Sequence, residues 1–239
     1  MEKIEFESMY NARGSRCILP SSATTAHLLI RSDNTAYATK SDIKTLQKLG
    51  IKTIIDIRSD KERAEEPDVF ENVSSFDYFF FAFDSGDFAY YLSRNPKMLT
   101  ISLLDGYISL LEQKDTVRKI ISTVSDSLQN GGVLFHCSGG KDRTGLISML
   151  LQSIMGIDKE EICVDYHQTY NNLTQSPKIQ AWVEQFGEEY VFCDPKLISS
   201  SMEYIEKKYS SIVDYLRNCG ILDEVINQLE SIKIEKLLK

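Results

Sequence analysis

The chain has 239 residues, a formal net charge of −8, and 42% hydrophobic and 26% charged residues, the balance of an ordinary soluble globular protein. Such an acidic chain is not expected to bind nucleic acid, because the non-specific part of that affinity requires a basic surface. No apolar run reaches the roughly 18 residues that cross a bilayer, so no integral membrane segment is expected. The first sixteen residues, MEKIEFESMYNARGSR, carry early acidic residues and no apolar core, which argues against a secretory signal.

The five cysteines are scattered, odd in number and never spaced as Cys-x-x-Cys. That pattern argues against a disulfide framework and against a zinc site. It is typical of a reducing compartment, and the expected location is the cytoplasm. The cysteines are Cys17, Cys137, Cys163, Cys193 and Cys219.

Two strands are predicted in the first half of the chain. Residues 51–57 (IKTIIDI) form a β-branched apolar run, and residues 76–83 (FDYFFFAF) are rich in aromatic residues. A helix before the first strand is indicated by apolar residues three apart over 43–49, and Gly50 ends it.

The second half alternates helical patterns with one short strand. Residues 98–128 have the spacing of amphipathic helices, and 133–135 (Val-Leu-Phe) have the pattern of a buried strand. Residues 146–155 are apolar almost all round, which predicts a helix at the centre of a domain, and 198–216 predict a C-terminal helix with one buried stripe. Alternating strands and helices predict an α/β layer fold. No linker divides the chain, so residues 1–239 are predicted to form a single domain.

The segment HCSGGKDRTG, residues 136–145, lies between the buried strand and the central helix. Backbone N–H groups in such a loop, with those at the helix start, form a concave site that suits an anion. Gly139 and Gly140 let the main chain approach a ligand closely. Arg143 follows Cys137 by six residues, where its planar fork can hold two phosphate oxygens at once.

The N–H groups of the loop and the Arg143 guanidinium create a positive electrostatic field. This field favours the thiolate form of a cysteine, which is the form that attacks. Cys137 is therefore the candidate nucleophile of a phosphocysteine mechanism. Thr144 can donate its hydroxyl to the sulfur when the sulfur leaves, and His136 can fix the loop by hydrogen bonding to its backbone.

Each part of the segment has an ordinary structural interpretation when taken alone: a buried cysteine, a glycine turn, a solvated Lys-Asp pair. The conjunction favours catalysis. Two other hypotheses are a phospho-ligand binding module without turnover and a redox or sulfur-transfer protein. The intact Cys137, Arg143 and Thr144 argue against the first, and the lack of a Cys-x-x-Cys motif argues against the second.

HCSGGKDRTG resembles the Cys-x5-Arg phosphate-binding loop of protein tyrosine phosphatases, specifically the bacterial family of the PtpB and LipA type. The resemblance extends to residues 30–68, where an Arg-Ser pair, a Leu-Gly-Ile step, an Asp-x-Arg strand end and a later Glu and Pro-Asp occur in that order. Residues 161–173 and the KKYSSIVDYL segment are also similar to the family. YNARGSRCILP resembles the family's N-terminal Asn-x-Arg-Asp-x-Gly-Gly only loosely.

The resemblance implies a tyrosine phosphatase fold with a central, mostly parallel sheet flanked by helices. It also implies that neither a metal nor another cofactor is needed. It implies that Cys137 is the nucleophile and Arg143 the phosphate clamp, and that the loop binds phosphate. Two features of the loop are also found in phosphatases of inositol lipids. One is the Asp directly before the Arg, and the other is the Lys within the loop. The expected substrates are therefore proteins that carry phosphotyrosine, phosphoinositides, or both. The phosphate-binding residues are Ser138, Gly139, Gly140, Lys141, Asp142, Arg143 and Thr144.

A general acid must protonate the leaving group. Asp142 resembles the acid of this subfamily, and it is the first choice. Asp84 and Asp87 follow the aromatic strand on a loop that Ser85 and Gly86 would make flexible, so they are the alternative.

Two further acidic residues are expected to support the site. Asp56 and Arg58 are predicted to form a structural ion pair that braces it. Asp165 could brace the loop from the helix behind it.

Overall fold

A computed structural model of the chain describes residues 5–19, 26–84, 102–188 and 191–238. Its strands are β1 (Arg13–Ile18), β2 (Ala26–Ser32), β3 (Ile51–Asp56), β4 (Asp77–Phe80), β5 (Gly132–His136) and β6 (Lys233–Leu238). Its α-helices are α1 (Lys40–Lys48), α2 (Asp60–Glu65), α3 (Leu103–Leu111), α4 (Lys114–Leu128), α5 (Asp142–Ile154), α6 (Lys159–Leu173), α7 (Pro177–Phe186), α8 (Pro195–Tyr209), α9 (Ile212–Asn218) and α10 (Asp223–Glu230). A 3₁₀ turn covers Val69–Asn72.

The strands form one six-stranded sheet in the order β4-β3-β5-β2-β1-β6. The pairs β4–β3, β3–β5 and β5–β2 are parallel, and β2–β1 and β1–β6 are antiparallel. The expected α/β fold with a mostly parallel sheet is confirmed. The carboxyl ends of β2, β3 and β5 meet at one edge, which is where ligands bind in sheets of this kind.

Successive residues of the central strands face opposite sides of the sheet. Ile54 and Leu134 pack in a cluster with Leu46 of α1, whereas Ile55 and Phe135 pack in the larger cluster on the other side. That larger cluster takes in α5, most of which is buried. The prediction of a central, all-round buried helix is therefore confirmed, and the helix begins earlier, inside the HCSGGKDRTG segment.

Three predicted elements differ in extent. The aromatic strand covers only Asp77–Phe80, the residues that pair with β3, which ends at Asp56. The prediction of one continuous C-terminal helix was wrong, since the chain breaks at Ser210, which has a φ of 76° and separates α8 from α9. The helical region 98–128 consists of α3 and α4, which meet at Gln113, and its residues 98–101 lie outside the described residues.

Strands β1, β2 and β6 had no counterpart in the prediction. They extend the sheet beyond β5, and β1 and β2 carry Arg13 and Arg31 toward the candidate site. Within the described part of the chain, no helix is both long enough and apolar enough to span a membrane.

Candidate active site

The candidate loop connects the end of β5 at His136 to the start of α5 at Asp142. It lies at the sheet edge where β2 and β3 also end. Cys137 is buried, with 2% of its surface exposed, and Ser138 and Gly139 are partly exposed.

The carbonyl groups of this loop turn outward and are held by the surrounding protein. Asn11 donates its side-chain N–H groups to the oxygens of Gly139 and Gly140 at 3.0 and 3.1 Å. Arg31 Nη2 donates to the Gly140 oxygen at 2.8 Å, and the backbone N–H of Asn34 donates to the Ser138 oxygen at 3.0 Å. Because the C=O and N–H groups of a trans peptide point in opposite directions, the N–H groups that follow these carbonyls face the inside of the loop. This arrangement is an anion nest.

Gly140 is the position at which the loop requires glycine. Its φ is +61°, and a Cβ atom there would lie 2.5 Å from the main-chain oxygen of Ser32. At Gly139 a Cβ atom would meet nothing closer than 3.8 Å.

The Arg143 guanidinium is held by Glu62 of α2. Nη1 and Nη2 of Arg143 lie 2.6 and 2.8 Å from the two carboxylate oxygens of Glu62. The Ser138 hydroxyl donates to the same carboxylate at 2.5 Å. Two of the five guanidinium N–H groups are used in this way, so three are left for other acceptors.

The electrostatics of this pair follow from its burial and from Cys137. Burial raises the pKa of Glu62, but Arg143 outweighs that effect and holds this pKa well below its usual range. Burial lowers the pKa of Arg143, but the Cys137 sulfur and Glu62 outweigh it and raise that pKa. Arg143 is therefore a permanent cation beside the Cys137 sulfur. The Thr144 hydroxyl is also buried here, and it has no hydrogen-bond partner among the described residues.

Asp142 has one oxygen fixed by a buried tyrosine. The Tyr107 hydroxyl donates to Oδ1 of Asp142 at 2.5 Å, and it also contacts the Tyr166 hydroxyl at 2.6 Å. Lys141 Nζ lies 3.9 Å from the same Oδ1. Asp84 lies near enough to help raise the pKa of Arg143. Asp142 therefore lies at the loop with one oxygen fixed, and the negative charge of Asp84 acts on Arg143.

Asp87, the other alternative acid, lies outside the described residues, as do Ser85 and Gly86. The predicted flexible loop therefore stays a prediction.

His136 lies behind the loop in a buried charged cluster. Its Nε2 is 3.2 Å from Asp68 Oδ2, and its Nδ1 is 3.2 Å from the Cys137 oxygen. Burial lowers the pKa of His136, but Asp56 and Asp68 outweigh it and raise that pKa. The expected hydrogen bonding of His136 to the loop backbone is present in this geometry.

The same cluster contains the predicted Asp56–Arg58 ion pair, at 2.7 Å. Ligand atoms of Asp56, Asp68 and His136 lie within 4.8 Å of one another, which is close enough for a metal ion. However, Arg58 donates to both oxygens of Asp56 and lies 3.5 Å from Asp68. Arg58 therefore supplies the positive charge that these carboxylates need.

Asp165 of α6 braces the loop through two arginines. Arg13 Nε and Arg31 Nη1 each lie 2.7 Å from its carboxylate oxygens, and Arg31 reaches on to the Gly140 oxygen. Burial raises the pKa of Asp165, but the two arginines outweigh it and hold this pKa well below its usual range. The predicted support from Asp165 is therefore present, although it is indirect.

The supports of the loop were not predicted individually. Five of them, Asn11, Arg13, Arg31, Glu62 and Tyr166, lie in segments that resemble the family, which was the available signal. Tyr107 had no signal beyond the apolar spacing of residues 98–128. Asn11 and Arg31 contact the loop, Glu62 contacts Arg143, and Tyr107 contacts Asp142. Arg13 and Tyr166 act indirectly, because Arg13 donates to the Asn11 oxygen and Tyr166 contacts the Tyr107 hydroxyl.

The family model described as the tyrosine phosphatase family matches residues 4–235. This chain belongs to that family. A tyrosine-protein phosphatase of Nostoc commune is 32% identical over 167 residues, which are 70% of this chain and 56% of that protein. The triple specificity protein phosphatase PtpB of Mycobacterium tuberculosis is 26% identical over 118 residues, 42% of this chain and 43% of that protein. The chain thus spans about half the length of these curated relatives.

Solved structures give more distant likenesses. TpbA of P. aeruginosa aligns with a TM-score of 0.39 and 18% identity, over 74% of this chain and 93% of that one. Kinase associated phosphatase aligns with a TM-score of 0.43 and 13% identity, over 81% and 94%.

Proposed function

We propose that this protein hydrolyses phosphate monoesters through a phosphocysteine intermediate at Cys137. The observation that carries the proposal is the loop from Cys137 to Arg143, whose carbonyls are tied outward and whose arginine is held by Glu62. A phosphate dianion in this loop would meet inward N–H groups and a fixed guanidinium, which are the donors that stabilise charge on equatorial oxygens.

In the first step, the Cys137 thiolate attacks phosphorus in line with the ester oxygen. The P–O bond to the leaving group breaks, and Asp142 gives that oxygen a proton. In the second step, a water molecule attacks the phosphocysteine, Asp142 takes a proton from it, and inorganic phosphate and the thiolate are released. Thr144 would donate its hydroxyl to the departing sulfur. Asp84, which lies near Arg143, is the alternative acid.

Phosphotyrosine in proteins is the first substrate that we propose. Family membership and the name of the Nostoc relative support it. Phosphoinositides are the second, supported by Lys141 within the loop. The name of PtpB, a triple specificity protein phosphatase, agrees with a broad substrate range.

We also propose that residues 1–239 act as one phosphatase domain in the cytoplasm. The family match over residues 4–235 supports the first point. The five cysteines, all of which are free thiols, fit a reducing compartment.

The test is hydrolysis of a phosphotyrosine peptide in the presence of EDTA, by the wild type and by Cys137→Ser. The wild type should release phosphate, and Cys137→Ser should release none while still binding the peptide. Loss of wild-type activity with the chelator, or activity in Cys137→Ser, would contradict the proposal. Values of kcat/KM for phosphotyrosine peptides, phosphoserine peptides and a phosphoinositide panel then rank the substrates.

A further inference from the structure

Two buried tyrosine hydroxyls form a chain that ends on Asp142. Tyr166 of α6 and Tyr107 of α3 have hydroxyl oxygens 2.6 Å apart, and Tyr107 donates to Asp142 Oδ1 at 2.5 Å. Tyr107 is 0% exposed and Tyr166 is 1% exposed. Residues of three helices, α6, α3 and α5, thus form one hydrogen-bonded chain that ends on Asp142 Oδ1.

The protons of this chain have one consistent arrangement. A tyrosine hydroxyl carries one proton, so Tyr107, which donates to Asp142, accepts the proton of Tyr166. Burial, followed by the nearby Asp142, raises the pKa of both tyrosines well above the usual value. Both hydroxyls therefore stay protonated at neutral pH and act as fixed donors.

The chain constrains one side of the Asp142 carboxyl group. Its charged and titratable neighbours are Tyr107, Tyr166, Lys141 and, more weakly, Cys193. The Tyr107 hydroxyl donates to Oδ1, and Lys141 Nζ lies 3.9 Å from the same oxygen. The side chain of Asp142 keeps 18% of its surface exposed, whereas the tyrosines are buried behind it. Oδ2 is therefore the oxygen that can carry a proton to a leaving group.

We infer that Tyr107, supported by Tyr166, is the positioning residue that holds Asp142 as proton donor with Oδ2 directed at the substrate. This inference rests on the proposed function and deepens it, because it assigns the general acid to Asp142 rather than to Asp84. Proton transfer depends on the reacting atoms being held within hydrogen-bond reach, so loss of the fixing hydroxyl should weaken acid catalysis specifically.

The variant Tyr107→Phe removes the hydroxyl and keeps the ring. We expect kcat/KM for phenyl phosphate, which has a poor leaving group, to fall by about 10-fold, and that for 4-nitrophenyl phosphate to change by less than about 3-fold. Tyr166→Phe should act in the same direction with a smaller effect. In combination with Asp142→Asn, Tyr107→Phe should cause no further loss, because both changes remove the same function.

The matched control is Tyr215→Phe. Tyr215 is equally buried, and its hydroxyl donates to the Leu111 oxygen at 2.6 Å rather than to Asp142. It should lower Tm as Tyr107→Phe does and leave the ratio of the two esters unchanged. The inference is overturned if Tyr107→Phe slows both esters equally, or if its effect adds fully to that of Asp142→Asn. Wild-type protein without Cys137-dependent turnover of either ester would instead overturn the proposed function, and this inference with it.

Discussion

Glu62 holds both terminal nitrogens of Arg143, at 2.6 and 2.8 Å, from a helix that begins 83 residues earlier in the chain. Glu62 is itself fixed, because it accepts hydrogen bonds from the Ser59 amide and hydroxyl at 2.8 and 2.9 Å in the capping box of α2. The orientation of the phosphate clamp therefore depends on how α2 begins.

The variant Glu62→Gln tests this dependence. It keeps the size of the side chain but removes the charge and one acceptor, so Arg143 loses half of its fork. We expect kcat/KM for a phosphotyrosine peptide to fall by roughly 10-fold or more. Asp60→Asn changes an exposed acid on the same helix and should stay within about 2-fold. Equal kcat/KM values for Glu62→Gln and wild type would contradict the claim that the orientation of Arg143 depends on Glu62.

The two glycines of the loop should differ in their tolerance of alanine. Gly140→Ala combines a φ of +61° with a Cβ atom 2.5 Å from the Ser32 oxygen, so it should lower the free energy of unfolding by about 2 kcal/mol or more. Gly139→Ala has no such contact and should change it by less than about 1 kcal/mol. Urea denaturation of both variants measures the difference. Similar losses at both positions would contradict the described backbone.

Much of the fold could be predicted because its signals are local. The runs at 51–57 and 133–135 are apolar over the length of a strand, and both became central strands. Strands β1 and β2 escaped prediction because Arg13 and Arg31 interrupt their apolar pattern. Asp165 neutralises these two buried charges. It lies 152 residues after Arg13 and 134 residues after Arg31 in the chain.

The candidate site also has a part that the sequence predicts and a part that it does not. The loop from Cys137 to Arg143 is one continuous segment, so its anion-binding chemistry can be deduced from the sequence. Its supports come from distant segments, such as Asn11, which is 128 residues from Gly139. No local pattern states that an asparagine will hold a loop carbonyl, and only the folded chain brings them together.

The two described acid candidates make different predictions about leaving groups. Asp142→Asn should lower kcat/KM for phenyl phosphate by about 100-fold or more and affect 4-nitrophenyl phosphate far less, because nitrophenolate departs without a proton. Asp84→Asn should slow both esters to a similar extent, since Asp84 acts on Arg143. Steady-state kinetics with both esters measure the ratio. A steeper leaving-group dependence in Asp84→Asn would reverse the assignment.

Acid stability should depend on Asp68. Burial raises the pKa of this carboxyl, but His136 and Thr35 outweigh it and hold the pKa at about 2, below the usual 3.8. The resulting stabilisation is complete above about pH 4 and is lost as the pH falls toward 2. The gap in unfolding free energy between wild type and Asp68→Asn should therefore shrink by roughly 2 kcal/mol between about pH 5 and 2. Denaturant titrations at several pH values measure this gap. The control variant Asp126→Asn changes an exposed carboxyl, and its gap in unfolding free energy from wild type should not depend on pH. A constant gap for Asp68→Asn would contradict the assigned His136–Asp68 interaction.

The covalent intermediate at Cys137 is the central claim, and rapid quenching tests it most directly. Wild-type protein mixed with 4-nitrophenyl phosphate, quenched in denaturant within one turnover and mapped by mass spectrometry, should carry phosphate on the peptide that contains Cys137. The same peptide from Cys137→Ser should carry none. Rapid turnover without phosphate on that peptide, or with phosphate on another residue, would contradict the account.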